Sequence, residues 1–440
     1  MKKTIVLFSD GTLLPSGEGA TFRDLELVKG LMRKGYEITF IHAFRGWSNL
    51  DMLTKSKFQV ILVNPHDYYN GTKVISSILN MLSPDAIVMK NPTEVCSAVY
   101  NKILPIKTKI IFDCHDLNNK NYREKPLDRA IDLIAAELSD AVFCITKDIK
   151  SELSKFVGKK KKLFFVPATI SSNLIQPKRH VGRGHVLGFL GNFYHNPNYE
   201  ALEWICNKLL PIIKSYNKNI RIHVIGDCPR SLFKKIKSSN VVCFGQVDNP
   251  IPYLHECDIA LSPMFKGSGF RTKLLYYIAS GLPTVATKLG LEGIGRRKCF
   301  QFADNEYEMA NMCLDLLNSA DLRNEKSKDS IRILKRGFLS DNITKHFDCV
   351  WNIELESESR SIGNSALKYL NQLIKSKYLS ENDIEIEHIA RRTPLWLNEI
   401  IMNKRFKYNN TNFINMGEWI DLSDPKSKKV LDYNDYVIMK

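Results

Sequence analysis

At 440 residues, 44% of them hydrophobic and 25% charged, the chain is long enough for two or three globular domains with a sizeable core. No apolar run reaches the roughly 18 residues needed to span a bilayer, and ten scattered cysteines without a Cys-x-x-Cys pair argue against a zinc site and a disulfide framework. The formal net charge of +16 favours an anionic partner (phospholipid, nucleic acid or a phosphorylated acceptor), although its dispersal in small clusters at Lys159–Lys162, Arg296–Lys298 and Arg391–Arg392 also fits a solvated surface.

Met1–Phe8 begins like a signal peptide. Ser9-Asp10-Gly11 cuts the apolar run short and no small-residue cleavage site follows, so a first buried strand and a cytoplasmic protein are expected. Further strands are predicted at Glu37–His42, Gln59–Val63, Ala86–Met89, Lys109–Asp113, Ala141–Ile145 and Leu163–Val166. Amphipathic stretches lie between several of them, such as Phe22–Lys34 with Leu25, Val28, Leu31 and Met32 on one helical face. Near-continuous apolar strands alternating with helices imply a parallel sheet covered on both faces. After a polar, basic break at Gln176–Gly184 the pattern restarts. Strands are predicted at Val186–Leu190, Ile220–Ile225, Val241–Phe244, Ile259–Ser262, Thr284–Ala286 and Phe300–Phe302, and a helix at Pro197–Ile213 with Asn196 as its cap. Cys144, Cys243 and Cys257 sit in apolar runs, as buried free thiols do. One more helix is expected over 341–357, a polar linker at Glu354–Ser361, and a tail of separate character over 358–440. The expected architecture is thus two tandem doubly wound α/β domains, 1–178 and 184–340, with ligands outside the carboxyl ends of the strands in a cleft between them.

The stretch Ser262–Thr287 carries the most specific chemistry. A strand ends near Ser262 and a glycine-bearing loop opens a helix at about Phe270. Gly267 and Gly269 allow close approach of a phosphate to the backbone, and the helix start offers N–H groups and a positive dipole end. Arg271 and Lys273 add full charges. Gly281-Leu282-Pro283 then ends the helix. On spacing alone, an ordinary βαβ unit with surface basic residues fits as well.

The same segment resembles the nucleotide-sugar motif of glycosyltransferase family 4, a GT-B family of retaining enzymes. Phe189–Asn198, His223-Val224-Ile225-Gly226 and Gly290-Leu291-Glu292-Gly293 are similar to further motifs of that family, in order, so that the likeness covers roughly residues 1–350. The resemblance implies a GT-B fold and a metal-independent transferase with no cofactor. Its substrate would be a nucleotide sugar, a UDP-sugar first among the candidates. Arg271 and Lys273 would neutralise the leaving diphosphate. Gly191, Asn192, Gly267, Ser268, Gly269, Phe270, Thr272 and Glu292 would line the donor site, and Gly245 and Gln246 would approach the nucleobase. The family's ribose-binding glutamate falls at Tyr276, and a phenol cannot accept two ribose hydrogen bonds as a carboxylate does.

Ser16-Gly17-Glu18-Gly19 resembles the family's Gly-Gly loop, which implies a donor contact at Gly17 and an acceptor contact at Glu18. A plain βα turn is the alternative there. Asp113-Cys114-His115-Asp116 ends a strand, which directs His115 toward the cleft. The resemblance makes His115 an acceptor-side residue at the reacting centre, with Asp116 orienting the imidazole or binding acceptor hydroxyls and Arg123 in a loop facing the acceptor. The function expected is transfer of a sugar to a glycan, lipid-linked or small-molecule acceptor, with peripheral contact to anionic membrane at its inner face. Two alternatives are a glycosyltransferase acting on nucleic acid and a non-catalytic GT-B-like binding protein. The oligomeric state is left open.

Overall fold

The computed structural model describes residues 2–10, 19–43, 57–105, 107–117, 126–157, 162–236, 240–267, 269–295, 297–353 and 437–439. The chain divides into two compact units. The first comprises Met1–Leu14, Leu31–Val166 and His346–Lys440, the second Pro15–Gly30 and Pro167–Lys345.

In the first unit, β1 (Thr4–Ser9), β2 (Glu37–Ala43), β3 (Gln59–Val63), β4 (Ala86–Met89), β5 (Lys109–Cys114), β6 (Ala141–Cys144) and β7 (Lys162–Phe165) form a parallel sheet in the order β3-β2-β1-β4-β5-β6-β7. The short segment Val437–Met439 pairs antiparallel with β3. Strands buried along almost their whole length explain why the sequence reads as continuous apolar runs rather than alternating ones. Successive strands leave β1 in one direction and β4 in the other, so the topological switch point lies between β1 and β4. The helix Ser340–Trp351 ends in this unit. There Phe347 packs edge-on against Phe143 at 5.2 Å, Trp351 Nε1 donates to the Tyr36 hydroxyl at 2.9 Å, and Lys34 Nζ lies 2.7 Å from Asp348.

In the second unit, β8 (Val186–Leu190), β9 (Arg221–Ile225), β10 (Val241–Gly245), β11 (Ile259–Ser262), β12 (Thr284–Ala286) and β13 (Phe300–Phe302) form a parallel sheet in the order β10-β9-β8-β11-β12-β13. Its switch point lies between β8 and β11. Leu187, Phe189, Ile222, Val224, Leu261 and Val285 on the strands bury against Leu202, Ile205, Leu209, Met309 and Leu316 on helices. The doubly wound pattern expected from the sequence is therefore present in both halves, each on its own sheet.

Some local expectations differ. The helix expected from Pro197 starts one residue earlier. His195 occupies the cap position without a side-chain capping hydrogen bond, and Asn196 is already helical. The same helix does not run regularly to Ile213. A π turn spans Ile205–Leu209, closed by Leu210 N–H to Ile205 O, and the α-helical geometry resumes over Leu210–Tyr216. Pro211 has no N–H to give to the preceding turn, which is where such irregularities arise. Cys243 is only half-buried, because β10 is an edge strand, whereas Cys144 and Cys257 are buried. Among the described residues no helix is long and apolar enough to cross a membrane. Apart from 437–439, the tail expected over 358–440 lies outside the described residues.

Candidate active site

In the second unit the site grows from the switch point between β8 and β11. β8 ends at Leu190, and Gly191 follows, its N–H bonded to Ile225 O at 3.0 Å. Gly226 ends the neighbouring strand at φ +125°, where a Cβ would come within 1.9 Å of Gly191 O, so only glycine allows the two strand ends to close up. Gly226 N–H bonds Gly245 O at 2.8 Å, which brings Gly245 to the same row of strand ends. Gln246 next to it is exposed. Asn192 makes a tight turn, its Oδ1 accepting from Tyr194 N–H at 3.0 Å. Its carbonyl accepts from Asn198 Nδ2 at 2.9 Å.

Asn198 Oδ1 in turn accepts from Lys273 Nζ at 2.7 Å. The Lys273 ammonium also lies 4.4 Å from the centre of the Phe189 ring and 3.7 Å from Met264 Sδ. Lys273 is 9% exposed. Among the described residues no carboxylate pairs with it. Burial, and secondly the Arg271 charge, pull its pKa well below the usual lysine value. An amide oxygen, a thioether and a ring face stabilise an ammonium, but they do not cancel its charge.

Arg271 is balanced differently. Its Nη2 lies 3.5 Å from Glu292 Oε2, both side chains being buried, and its Nε donates to Leu289 O at 3.3 Å. The backbone repeats the link, Arg271 N–H to Glu292 O at 3.1 Å. Gly267, at φ +94°, covers the guanidinium, and a Cβ there would stand 3.3 Å from Nη1. Gly269 also has a positive φ, +85°. Phe270 packs under the loop against Phe338 at 6.0 Å, and Gly293 is needed beside it because a Cβ would fall 2.3 Å from the ring. The helix opens at Lys273, three residues later than Phe270. Thr272 precedes it without a side-chain cap, its carbonyl accepting from Leu275 N–H at 3.0 Å.

Tyr276 is half-buried, its ring 5.1 Å from that of Phe22 on helix Gly19–Arg33. Burial, with the Glu26 carboxylate as a second cause, pushes its phenol pKa up. Glu26 is itself buried and held by Ser171 Oγ and Lys29 Nζ, each at 2.6 Å, and by Ser340 Oγ.

In the first unit, His115 directly follows β5. Its Nε2 lies 2.8 Å from Asp113 Oδ2, on a carboxylate that is 1% exposed. Asp116 is exposed, and its carbonyl accepts from Cys114 Sγ at 3.2 Å. Gly17, Glu18, Arg123 and Ser268 lie outside the described residues.

The fold thus joins Gly191, Asn192 and Lys273 through Asn198, and Gly267, Arg271 and Glu292 through the buried ion pair. Asn198, Phe189 and Met264 around Lys273, and Asp113 beside His115, were not singled out from the sequence. Asn198 does stand within the Phe189–Asn198 stretch that carries part of the resemblance, and Asp113 within the Asp113–Asp116 run. The signal was present without a role attached to it.

Known proteins place this geometry. Residues 184–319 match the family model for glycosyl transferases group 1. A curated relative, an uncharacterized 44.6 kDa protein in the cps region of Klebsiella pneumoniae, is 26% identical over 117 residues, covering 24% of this chain and 30% of that protein. The aligned part is therefore less than a third of that relative's length. Among solved structures, sucrose-phosphate synthase from Thermosynechococcus elongatus matches 80% of this chain and 98% of its own at 11% identity and TM-score 0.64. HepE of Anabaena in complex with UDP and glucose matches 79% and 98% at 12% identity and TM-score 0.62. A glycosyltransferase from Rickettsia africae matches 81% and 100% at 15% identity and TM-score 0.61. These likenesses give the chain a GT-B fold, and Lys273, Arg271 and Glu292 lie within the stretch 184–319 that matches the group 1 model.

Proposed function

We propose that the protein is a retaining glycosyltransferase of family 4 that moves a sugar from a nucleotide-sugar donor, a UDP-sugar, to a hydroxyl of a glycan, lipid-linked or small-molecule acceptor. The observation that carries this reading is Lys273, a buried basic group that no carboxylate among the described residues pairs with, close in sequence to a loop with glycines at positive φ. A donor diphosphate supplies the missing negative charge. HepE, of similar fold, has been solved with UDP and with UDP-glucose. WaaG, another structural neighbour, is a glycosyltransferase involved in lipopolysaccharide biosynthesis. Both support a bacterial glycan role for this chain.

In the reaction the bond from the sugar's anomeric carbon to the diphosphate oxygen breaks, and a bond to the acceptor oxygen forms on the same face. The acceptor proton passes to the departing phosphate. Charge gathers on the diphosphate as it leaves, so the main work falls to Lys273 and to Arg271, and no metal or cofactor enters this scheme. Arg271 must share its guanidinium between Glu292 and the phosphate, or exchange one for the other. His115, held by Asp113, is the proposed acceptor-side group. The protein would act in the cytoplasm, at the inner face of the membrane.

The test is thermal stability against UDP, GDP, ADP, dTDP and CMP. Ligand that binds only the folded chain stabilises it by about 2.7 kcal/mol at a hundred times its dissociation constant. UDP is expected to raise Tm, and Arg271→Ala/Lys273→Ala to abolish the rise. An unchanged Tm with every nucleotide would overturn the donor reading.

A further inference from the structure

A second cationic site lies on residues that play no part in the first. The C-terminal half of helix Ala320–Gly337 carries Asp329, Arg332, Ile333 and Arg336 at i, i+3, i+4 and i+7, a single helical face. That face and the loop residues Arg297 and Lys298 line one concavity of about 460 Å³. Arg332 pairs with Asp329 at 2.9 Å, and its side chain stays 70% exposed. Among the described residues no carboxylate pairs with Arg297, Lys298 or Arg336. The two walls are tied together by Lys326 Nζ, which donates to Lys298 O at 2.9 Å.

Basic residues in a last helical turn commonly answer the helix dipole, and Lys335 and Arg336 do so here. That accounts for one wall. It does not account for Arg297 and Lys298, which come from the loop before β13 and face the same space. Four cations around one carboxylate repel each other unless an anion joins them.

We propose that this concavity binds a phosphorylated anion. The Arg332 and Arg336 guanidinium groups offer planar forks for phosphate oxygens, and Lys298 and Arg297 close the opposite side. Ile333 gives the apolar part of the wall, suited to the carbon skeleton next to the phosphate. The phosphate belongs to a lipid headgroup or to a soluble phosphorylated compound. The concavity shares no residue with the donor site.

The experiment uses the full chain and two probes, inorganic pyrophosphate by calorimetry and sedimentation with vesicles of phosphatidylcholine with or without phosphatidylglycerol. Variants are Arg332→Ala/Arg336→Ala and, on the other wall, Arg297→Ala/Lys298→Ala, with Arg271→Ala/Lys273→Ala to silence the donor site. Removing one charge-assisted hydrogen bond is expected to weaken binding about ten-fold. Pyrophosphate binding that survives Arg271→Ala/Lys273→Ala but weakens at least about ten-fold in both groove variants supports a soluble phosphate ligand. Sedimentation with the phosphatidylglycerol vesicles alone, abolished in both groove variants, supports the lipid source. Wild-type behaviour of both groove variants with both probes overturns the proposal, as does failure of the wild-type chain to bind either one. The side chains removed from the groove are exposed, and unchanged far-ultraviolet circular dichroism checks that all the variants, the buried Arg271→Ala/Lys273→Ala included, still fold.

Discussion

Lys273 in the second unit and His115 in the first both follow the carboxyl end of a parallel strand, and both meet the cost of partial burial of a basic group. They meet it in opposite ways. His115 has a carboxylate of its own chain, Asp113, within 2.8 Å. Lys273 has an amide oxygen, a thioether and a ring face, with a pKa drawn down by burial. A basic group that a carboxylate of its own fold holds in place can be an oriented catalytic side chain. A buried lysine without a counter-charge sheds its proton or waits for an anion, and an anionic ligand then acts on its protonation. Arg271 stands between the two, since Glu292 partly answers its charge at 3.5 Å.

The largest effect should come from breaking this contrast at Lys273. Lys273→Met keeps the length and apolar stem while removing the charge. Transfer is expected to fall about 10³-fold, a loss typical of removing one group aimed at developing negative charge. The unliganded protein should be no less stable, because the buried amine goes too. The same logic fixes a pH dependence. The donor diphosphate raises the depressed pKa of Lys273, so binding takes up a proton, and affinity declines as pH rises through the pKa of the free protein. Calorimetry of UDP binding in buffers of different ionisation enthalpy should register the uptake in wild type and not in Lys273→Met. Equal heats in all buffers for wild type would mean that Lys273 does not meet the phosphates.

A smaller loss is expected at the other end of the contrast. His115→Ala should lower kcat/KM about 100-fold, the low end of the usual range for a positioned acid–base group. It should leave the UDP-induced rise in Tm intact. Asp113→Asn should cost less than His115→Ala, since an amide oxygen can still accept from the imidazole. Should His115→Ala erase the nucleotide effect as Lys273→Met does, the division into a donor side and an acceptor side would collapse.

Why one side was more legible than the other follows from where the information sits. The strands Gln59–Val63, Val186–Leu190 and Ile259–Ser262 have the same bounds in sequence and structure, because a fully buried parallel strand writes itself as an apolar run ended by turn residues. Gly267, Arg271 and Lys273 lie together in sequence, so their local chemistry could be read directly. What joins them to the rest could not. Asn198 meets Lys273 only because β8 and β11 are neighbours in the sheet, and Glu292 reaches Arg271 only through the turn after β12. The π turn at Ile205–Leu209 was hidden because Pro211 announces a missing N–H but not which carbonyl the widened turn will use. Asp116 offered itself as a partner for the imidazole by adjacency, whereas strand pleating sets residues two apart on the same face, and it is Asp113 that His115 meets.

Tyr276 gives the smallest and sharpest prediction. It stands where the resembling family has a carboxylate, and its ring packs on Phe22 near the buried Glu26. If the phenol replaces part of the missing ribose contact, it does so with one hydroxyl. Tyr276→Phe then removes a single hydrogen bond worth about 0.5–1.5 kcal/mol, so KM for the donor should rise about 3- to 10-fold with kcat unchanged. The ring packing on Phe22 survives the change, so Tm without ligand should not fall. An unchanged KM would assign Tyr276 to packing alone. Tyr276→Glu does not restore the family's arrangement here, because the new carboxylate would face Glu26 across a half-buried gap. It is expected to lower Tm, as like charges do when water cannot separate them. The residue that departs from the pattern is thus held in place by its surroundings: Glu26, fixed by Ser171, Ser340 and Lys29, favours a neutral side chain at 276.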